Sequence, residues 1–458
     1  MLKIYNTYSR EKEEFKIDGD IVKIYTCGPT VYNYAHIGNL RAYIFMDTLR
    51  KVLKYNGYKL LHVMNITDVG HMTSDADEGE DKMLKASREK HMKPEDIANM
   101  YTEAFLKDIG KLNIEKPEYI AKATDHIKEM EEYVKDIVEN DYGYETSKGI
   151  YFDTDKLTTY GELSRANLKD QKSGARIEID DEKKSPLDFA LWIKAPQEHI
   201  MKWNSKWGMC YPGWHIECSA MSKKYLGETF DIHTGGVDHI QIHHENEIAQ
   251  SRGATGKNPA KYWMHSEFLL IDGGKMSKSL GNVYTIDDIE EKGYSPIAYR
   301  YLAYTSHYRN KLNFTWDAIE SANNSLINMK KLYQEHLNGN EKVDDIDKYR
   351  EKFIDAINDD LNIPMAMAVV WEVLKSNKSE SYAKLLLEFD EVLSLNIDKI
   401  DEIQEVEIPL EVSDIIEERK MSRENKNFIL SDTLRDKLFD LGYKVLDTKE
   451  GQKVEKIQ

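Results

Sequence analysis

The sequence predicts an α/β protein: a parallel sheet interrupted by an insertion and followed by a mostly helical C-terminal region. Three observations carry this prediction. Residues 21–67 read as strand, helix, strand. Helix-like and strand-like segments resume near residue 218 after a turn-rich interval. From Trp316 onward, apolar residues recur almost entirely at helical spacing. A chain of 458 residues is too long for one core, so two or more domains are expected.

The elements follow in order. IVKIYTC, residues 21–27, is a short apolar run that ends in the turn GPT. HIGNLRAYIFMDTLRKVLKYNG then places Leu40, Ile44, Phe45, Leu49, Val52 and Leu53 near one side of a helix, with Gly57 as its stop. KLLHVMNIT, residues 59–67, is the return strand. A crossover helix of this length implies parallel strands and a right-handed connection. Ligands in such sheets bind at the carboxyl ends of the strands, where Cys27 and Thr67 fall. Residues 95–140 are charged and read as helical. Residues 141–200 change character, with turn residues and short β-like runs in YGYETSKGIYFDTDKLTTYGELS, and are expected to be an insertion. The α/β pattern resumes with helix-like CSAMSKKYLG, strand-like FDIHTGG, and YWMHSEFLLIDGG. Beyond it, Ile319, Leu326, Met329 and Tyr333 repeat at three to four, and Pro364 opens another helix, MAMAVVWEVLKS. Residues 376–410 are acidic and are expected to include a linker. SDTLRDKLFDLG is a last helix before the short strand YKVLD.

Composition narrows the class. The chain is 41% hydrophobic and 31% charged, as ordinary globular proteins are. It has no apolar run of about 18 residues and no apolar signal core near its first residues, so a cytoplasmic protein without membrane contact is expected. Its three cysteines, Cys27, Cys210 and Cys218, are too few for a disulfide scaffold. The net charge of −18 argues against a general polyanion binder. A local basic patch would still serve nucleic acid.

Two motifs suggest phosphate handling. The chain has no Walker A loop and no GxGxxG. His36-Ile37-Gly38-Asn39 instead opens the first crossover helix, where free N–H groups and partial positive charge favour an anion. Later, GGKMSKSLGN sets Lys275 and Lys278 three apart, with hydroxyls between and after them and glycines on both sides. Such a basic loop could neutralise a triphosphate as charge develops. A third cluster, DHIQIHHENEIAQ at 238–250, suits a metal, acid–base chemistry or a solvated helix face.

HIGN early and KMSKS late resemble the paired signature of class I aminoacyl-tRNA synthetases. TCGPTVYNYAHIGNLRAY, NITDV, PGWHIECSAMS, HHENEIAQ, YWMH and GGKMSKSLGN together resemble the cysteinyl-tRNA synthetase family. The likeness runs from about Tyr25 to Asn282 and returns at DDLNIPMAMA and SDTLRDKLFDLGYKVLDT. It implies a Rossmann-like parallel-sheet catalytic domain with an insertion, a mostly helical C-terminal region and a small terminal anticodon-reading domain. The expected boundaries are 1–125 and 201–270 for the catalytic halves, 126–200 for the insertion, 271–312 for the KMSKS loop and stem contact, 313–400 for a helical bundle on the tRNA stem, and 401–458 for the anticodon.

The resemblance also implies ATP, L-cysteine and tRNA(Cys) as substrates, Mg²⁺ with the ATP, a monomer, and one zinc ion in the amino-acid pocket. The implied zinc ligands are Cys27, Cys218, His243 and Glu247. The residues agree: His243 and Glu247 are i and i+4 on a predicted helix and share a face, and two thiolates, an imidazole and a carboxylate suit zinc. His244 and Glu245 are expected to point elsewhere, and Cys210 is expected not to be a ligand. Thiol coordination would reject serine where shape discriminates poorly. His36, Lys275 and Lys278 are implied as catalytic. Gly38, Asn39, Gly235, Gly236, Asp238, Met276, Ser277 and Ser279 join the two lysines at ATP, with Asp238 on its ribose. Thr67, Trp214 and His233 are implied at cysteine and adenylate.

The chain departs from the family pattern in places. Asn39 replaces a histidine, DHIQI replaces a Phe-Pro stretch, Thr234 replaces a glycine, and Val454 stands near a frequent tryptophan. A rival on the same core would join activated cysteine to an amino sugar, but it would not need the C-terminal segment. A catalytically inactive tRNA-binding paralogue would not need the signature lysines or the four zinc positions. Binding to tRNA by an acidic chain entails a basic strip and an affinity that falls steeply with salt.

Overall fold

The strand–helix–strand unit forms as predicted. Ile21–Thr26 and Lys59–Ile66 pair in parallel, from Ile21 opposite Lys59 to Thr26 opposite Met64, and the helix Ile37–Tyr55 joins them. This computed structural model describes residues 1–70, 82–165, 182–197, 199–277, 280–399, 410–425, 427–448 and 451–456. The described residues form two units, Met1–Asp398 and Lys399–Gln458.

In the first unit, five parallel strands lie in the order Ala260–Ser266, Phe230–Gly236, Ile21–Thr26, Lys59–Ile66, Tyr119–Lys122. Chain order reverses between Phe230–Gly236 and Ile21–Thr26. That reversal opens a crevice beyond their carboxyl ends, the usual binding place in this fold class.

The crossover helix begins with a reciprocal cap. The Asn39 N–H donates to His36 Nδ1 at 3.1 Å, and the His36 N–H donates to Asn39 Oδ1 at 3.2 Å. Two end groups are thereby satisfied. Leu40, Ile44, Phe45, Leu49, Val52 and Leu53 are all buried, and so are the polar Asp47, Arg50 and Lys51. The helix is enclosed on both sides because helical segments cover the face away from the sheet. Asp47 accepts from Lys51 Nζ at 2.8 Å, from the Glu115 N–H at 2.9 Å, and from Arg300 Nη2. Arg300 in turn donates to the carbonyls of Leu393 and Leu112, each at 2.8 Å.

Residues 95–140 are not continuously helical. The helices Pro94–Lys111 and Ile127–Glu139 flank the edge strand Tyr119–Lys122. Pro117 has no N–H and cannot continue a helix, and the free edge of Lys59–Ile66 offers hydrogen bonds instead. The turn-rich interval, joined by two strands beyond residue 200, folds as an antiparallel sheet in the order Gly143–Glu145, Gly149–Phe152, Phe189–Lys194, Gly208–Pro212, Trp203–Ser205. Trp316–Leu337, Ile346–Asn358, Ile363–Leu374 and Glu380–Leu393 are helices. The last occupies part of the expected linker, because Tyr382, Leu386, Phe389 and Leu393 give that acidic stretch a buried face. Residues 400–409 lie outside the described residues.

In the second unit, the helices Leu410–Glu424 and Phe428–Asp440 precede the antiparallel pair Tyr443–Thr448 and Gly451–Lys456. Val412, Ile415, Leu434, Leu438, Tyr443 and Val445 form its core. No helix among the described residues is long and apolar enough to cross a membrane.

Asp108, in Pro94–Lys111, is buried. Burial, with Asp287 next in effect, pushes its carboxyl up to about 6. A raised acid costs folding free energy above its folded value and nothing below its unfolded one. Asp108→Asn is therefore expected to stabilise the protein by roughly 1 to 2 kcal/mol at pH 7.5. The gain should shrink as pH falls from 7 toward 4, as read by urea unfolding at each pH.

Candidate metal centre and its surroundings

Each donor reaches the crevice from a different element. Cys27 follows Ile21–Thr26, Cys218 lies in the helix Trp214–Leu226, and His243 and Glu247 stand one turn apart in the helix His243–Thr255. Their ligand atoms all lie within 4.8 Å of one another, and all four residues are buried. Cys27 Sγ is 3.9 Å from Cys218 Sγ and 4.0 Å from Glu247 Oε1. His243 Nε2 is 3.4 Å from Cys218 Sγ and 3.1 Å from Glu247 Oε1.

These separations fit zinc. Tetrahedral bonding puts edges at about 3.8 Å between sulfurs, about 3.5 Å from sulfur to nitrogen or oxygen, and about 3.3 Å from nitrogen to oxygen. Each of the four distances lies within about 0.5 Å of its edge. A second donor set, Cys27, His233, His244 and Glu247, also comes together. Its His233 Nε2 to Glu247 Oε2 distance of 2.8 Å falls within the same tolerance, so distance does not separate the two sets. The second set has one thiolate rather than two, so the first is the better zinc site.

The electrostatics favour a thiolate. Burial alone would push the Cys218 thiol up, but the Cys27 hydrogen bond and the adjacent His243 imidazole bring it down to about 7. Burial and the Cys218 charge drive Cys27 well above the ordinary thiol range. His243 rises to about 10 despite its burial, held protonated by Cys218 and Glu247. Glu247 falls to about 2 against its burial, through His233 and His243. Without metal, the pocket thus holds an anionic sulfur and carboxylate against a protonated imidazole. Binding of a metal by both sulfurs and the imidazole would release the protons of Cys27 and His243.

His244 differs from the expectation. Its Nε2 lies 3.3 Å from Cys27 Sγ rather than pointing away. Positions i+3 and i+4 both face a given helix residue, so both histidine rings reach toward Glu247. Glu245 does turn elsewhere: it accepts the N–H groups of Gly161 at 2.9 Å and Ser164 at 2.8 Å, tying the helix to the inserted region. Burial holds His244 and His265 well below the usual imidazole range and brings His239 to about 4.

The other expected residues are placed as follows. The Trp214 ring is 4.4 Å from that of His243. His233 is fully buried against Glu247 rather than open to the crevice. The Thr67 hydroxyl donates to Glu217 Oε2 at 2.9 Å and accepts from Asn65 Nδ2 at 3.0 Å. Gly235 and Gly236 end their strand, and Asp238 follows, exposed. A Cβ on Gly235 would fall 2.6 Å from ring atoms of both His239 and His244, so only glycine lets those rings pack there. His36 Nδ1 caps its helix, as described. Gly38 faces Met276, whose Cε would lie 3.4 Å from a Cβ at that position; the early and late signatures therefore adjoin.

The late signature starts in a hairpin. Ile271 pairs with Gly274 across Asp272-Gly273, whose φ values of 49° and 76° are those of a two-residue turn that favours glycine. Lys275 is exposed on the return strand. Asn282 Oδ1 accepts the Ser277 N–H at 2.8 Å, and Asn282 Nδ2 donates to the Lys275 carbonyl at 3.2 Å. Lys278 and Ser279 lie outside the described residues. Cys210 is buried in the antiparallel sheet opposite Lys194 and Trp203 and belongs to neither donor set.

Sequence reasoning gave no role to His215, Glu217, His239 or His265. His265 in YWMH and His215 in PGWHIEC lay inside quoted motifs, but only tertiary packing shows what they touch. His215 Nδ1 lies 3.0 Å from His243 Nδ1.

The sheet order and the crevice define a Rossmann-like domain. A solved structure with this fold is Mycobacterium tuberculosis methionyl-tRNA synthetase in complex with methionyl-adenylate. It has a TM-score of 0.56 and 15% identity, covering 82% of this chain and 90% of that one. Residues 14–324 match the model of the tRNA synthetases class I (C) catalytic domain, and the chain belongs to that family. Its curated relatives include the cysteine–tRNA ligase of Treponema denticola, 43% identical over 98% of each chain. Cysteine–tRNA ligase 1 of Burkholderia lata is 44% identical over 99% of this chain and 96% of its own. The Clostridioides difficile enzyme is 40% identical over the full length of both.

Proposed function

We propose that this chain activates L-cysteine with MgATP as cysteinyl adenylate and transfers the cysteinyl group to the terminal adenosine of tRNA(Cys). The observation that carries the reading is the four-donor cluster of Cys27, Cys218, His243 and Glu247. It sits at the sheet's reversal point, in a chain whose relatives of that activity match it end to end.

In the first step the cysteine carboxylate attacks the α-phosphorus of ATP, and pyrophosphate leaves. In the second, the 2′-hydroxyl of the terminal adenosine attacks the carbonyl carbon, and AMP leaves. Zn²⁺ on the four donors would supply a position that takes a soft thiolate in preference to a hydroxyl. Trp214, beside His243, and Thr67 bound the cysteine pocket, while His233 orients Glu247. Gly235, Gly236 and Asp238 receive the adenosine, with Asp238 on the ribose. His36, Gly38 and Asn39 of the early signature and Lys275, Met276, Ser277, Lys278 and Ser279 of the late one handle the phosphates. No side chain is required as general base; positioning and electrostatics supply the rate.

The domain roles extend this reading. Residues 1–125 and 201–270 are the catalytic halves, 126–200 the connective insertion, 271–312 the signature loop and stem contact, 313–400 the helical stem-binding region and 401–458 the anticodon reader. The protein acts as a cytoplasmic monomer. Cysteine-dependent ATP–pyrophosphate exchange followed by charging of tRNA(Cys) transcript tests the function; metal-loaded protein that shows no exchange would refute it. Lys275→Ala is expected to slow exchange about 10²- to 10³-fold while leaving metal content unchanged. Exchange at the wild-type rate would remove Lys275 from the mechanism.

A further inference from the structure

Cys27 has a neighbour that the four-donor site does not use. His244 Nε2 lies 3.3 Å from Cys27 Sγ. The other edge of that ring is also engaged, with Nδ1 2.8 Å from His265 Nε2. His265 Nδ1 is 2.8 Å from Thr7 Oγ1. Thr7 follows the strand Lys3–Asn6 and is pinned by its N–H to the Trp263 carbonyl at 2.7 Å. All four side chains are buried, so water does not compete at these contacts.

The chemistry gives this chain of contacts a direction. With an ion on the four donors Cys27 is a thiolate, which has no hydrogen and only accepts, so the hydrogen between Cys27 and His244 then sits on His244 Nε2. A neutral imidazole carries one N–H, which leaves His244 Nδ1 to accept from His265 Nε2–H. His265 Nδ1 then accepts, and the Thr7 hydroxyl, which can donate or accept, supplies the hydrogen. One tautomer assignment satisfies all three contacts.

We infer that Thr7, His265 and His244 form a directed relay whose last member donates an N–H to the Cys27 thiolate. They are positioning residues for the metal centre, not ligands. The inference rests on the four-donor reading above. An N–H bond to sulfur draws charge from Cys27 and makes it the weaker of the two thiolate donors. The ion is thereby left more receptive to a further sulfur, the thiol of the substrate. Outer partners of metal ligands commonly tune a site in this way. The alternative, His244 as a ligand in the second donor set, predicts a different spectrum.

Cobalt(II)-loaded protein tests the relay. In His265→Leu, His244 loses the partner that fixes its tautomer, and the weakened N–H bond to sulfur should move the thiolate-to-cobalt charge-transfer band to lower energy. Because Cys27 and His244 are then less firmly oriented, cobalt affinity should fall about 10- to 100-fold, while the ligand-field bands keep tetrahedral intensity. Thr7→Val, nearly isosteric, should shift the band the same way by less; it carries the test where His265→Leu does not fold. His244→Gln keeps an N–H donor and should lie closer to wild type than His244→Leu. An unchanged charge-transfer band in both His265→Leu and Thr7→Val would overturn the relay. So would a His244→Gln variant whose ligand-field bands collapse as those of Cys218→Ser do, since His244 would then be a ligand. Wild-type protein that takes up no stoichiometric cobalt would sink the four-donor reading itself, whereas uptake with insensitive variants sinks the relay alone.

Discussion

Cys218→Ser is expected to lose stoichiometric metal and cysteine-dependent ATP–pyrophosphate exchange together, while Cys210→Ser keeps both. Cys218 touches two of the other three donors, at 3.9 Å from Cys27 Sγ and 3.4 Å from His243 Nε2. A serine hydroxyl is a shorter and harder donor and stays protonated at neutral pH, so it replaces neither the charge nor the softness of the sulfur. The loss should exceed the roughly 100-fold that changes outside the ligand shell produce. Cys210 has the same chemistry in a different place. It is buried in the antiparallel sheet, with its Sγ 3.7 Å from the Trp207 carbonyl. Metal analysis of both variants after dialysis, with exchange assays on the same samples, decides the matter. Full metal content in Cys218→Ser would show that the ion sits elsewhere.

Asp47→Asn is expected to cost the first unit about 3 to 5 kcal/mol. Asp47 is the shared anion for Lys51 and Arg300, and all three are buried. An amide keeps the shape but takes from two buried cations the carboxylate they share. Removing one partner of such a group costs far more than an exposed ion pair contributes, which is about 0 to 1 kcal/mol. Arg300 also holds the carbonyls of Leu393 and Leu112, so the damage should reach the junction of the crossover helix with the helical region. Burial would raise the Asp47 carboxyl, but Arg300 and Lys51 outweigh it and hold the group below the ordinary carboxylate range. A depressed acid contributes its stability above the unfolded value and loses it as pH falls through the folded value. The difference between wild type and Asp47→Asn should therefore be full at pH 7 and narrow in acid. Urea unfolding followed by tryptophan fluorescence measures it, and a cost under about 1 kcal/mol would mean that water reaches the cluster.

Much of this was legible in the chain. The crossover unit was readable because its helix has an apolar side, a cap and a stop within one window, and its strands are short apolar runs. The relation of His243 to Glu247 was readable for the same reason: helical spacing is local. The strand Tyr119–Lys122 was not readable. Four residues carry too little periodicity, and what makes them a strand is the open edge of Lys59–Ile66. The helix Glu380–Leu393 was obscured by its acidic exposed face, although Tyr382, Leu386, Phe389 and Leu393 supply the buried side.

His244 shows the remaining boundary most clearly. Spacing put it at i+3 to Glu247, beside His243 at i+4, but could not show that its ring meets Cys27, a residue 217 positions away. The sequence by itself determined the α/β class, the family and the residue types able to hold a soft ion, because each depends on local pattern or matched motifs. Only the tertiary structure decided which atoms meet: that the strand order reverses beside Cys27, that Cys210 is left in another sheet, and that His265 and Thr7 line up behind His244. Those meetings depend on sheet order and side-chain packing across long loops, which no window along the chain contains.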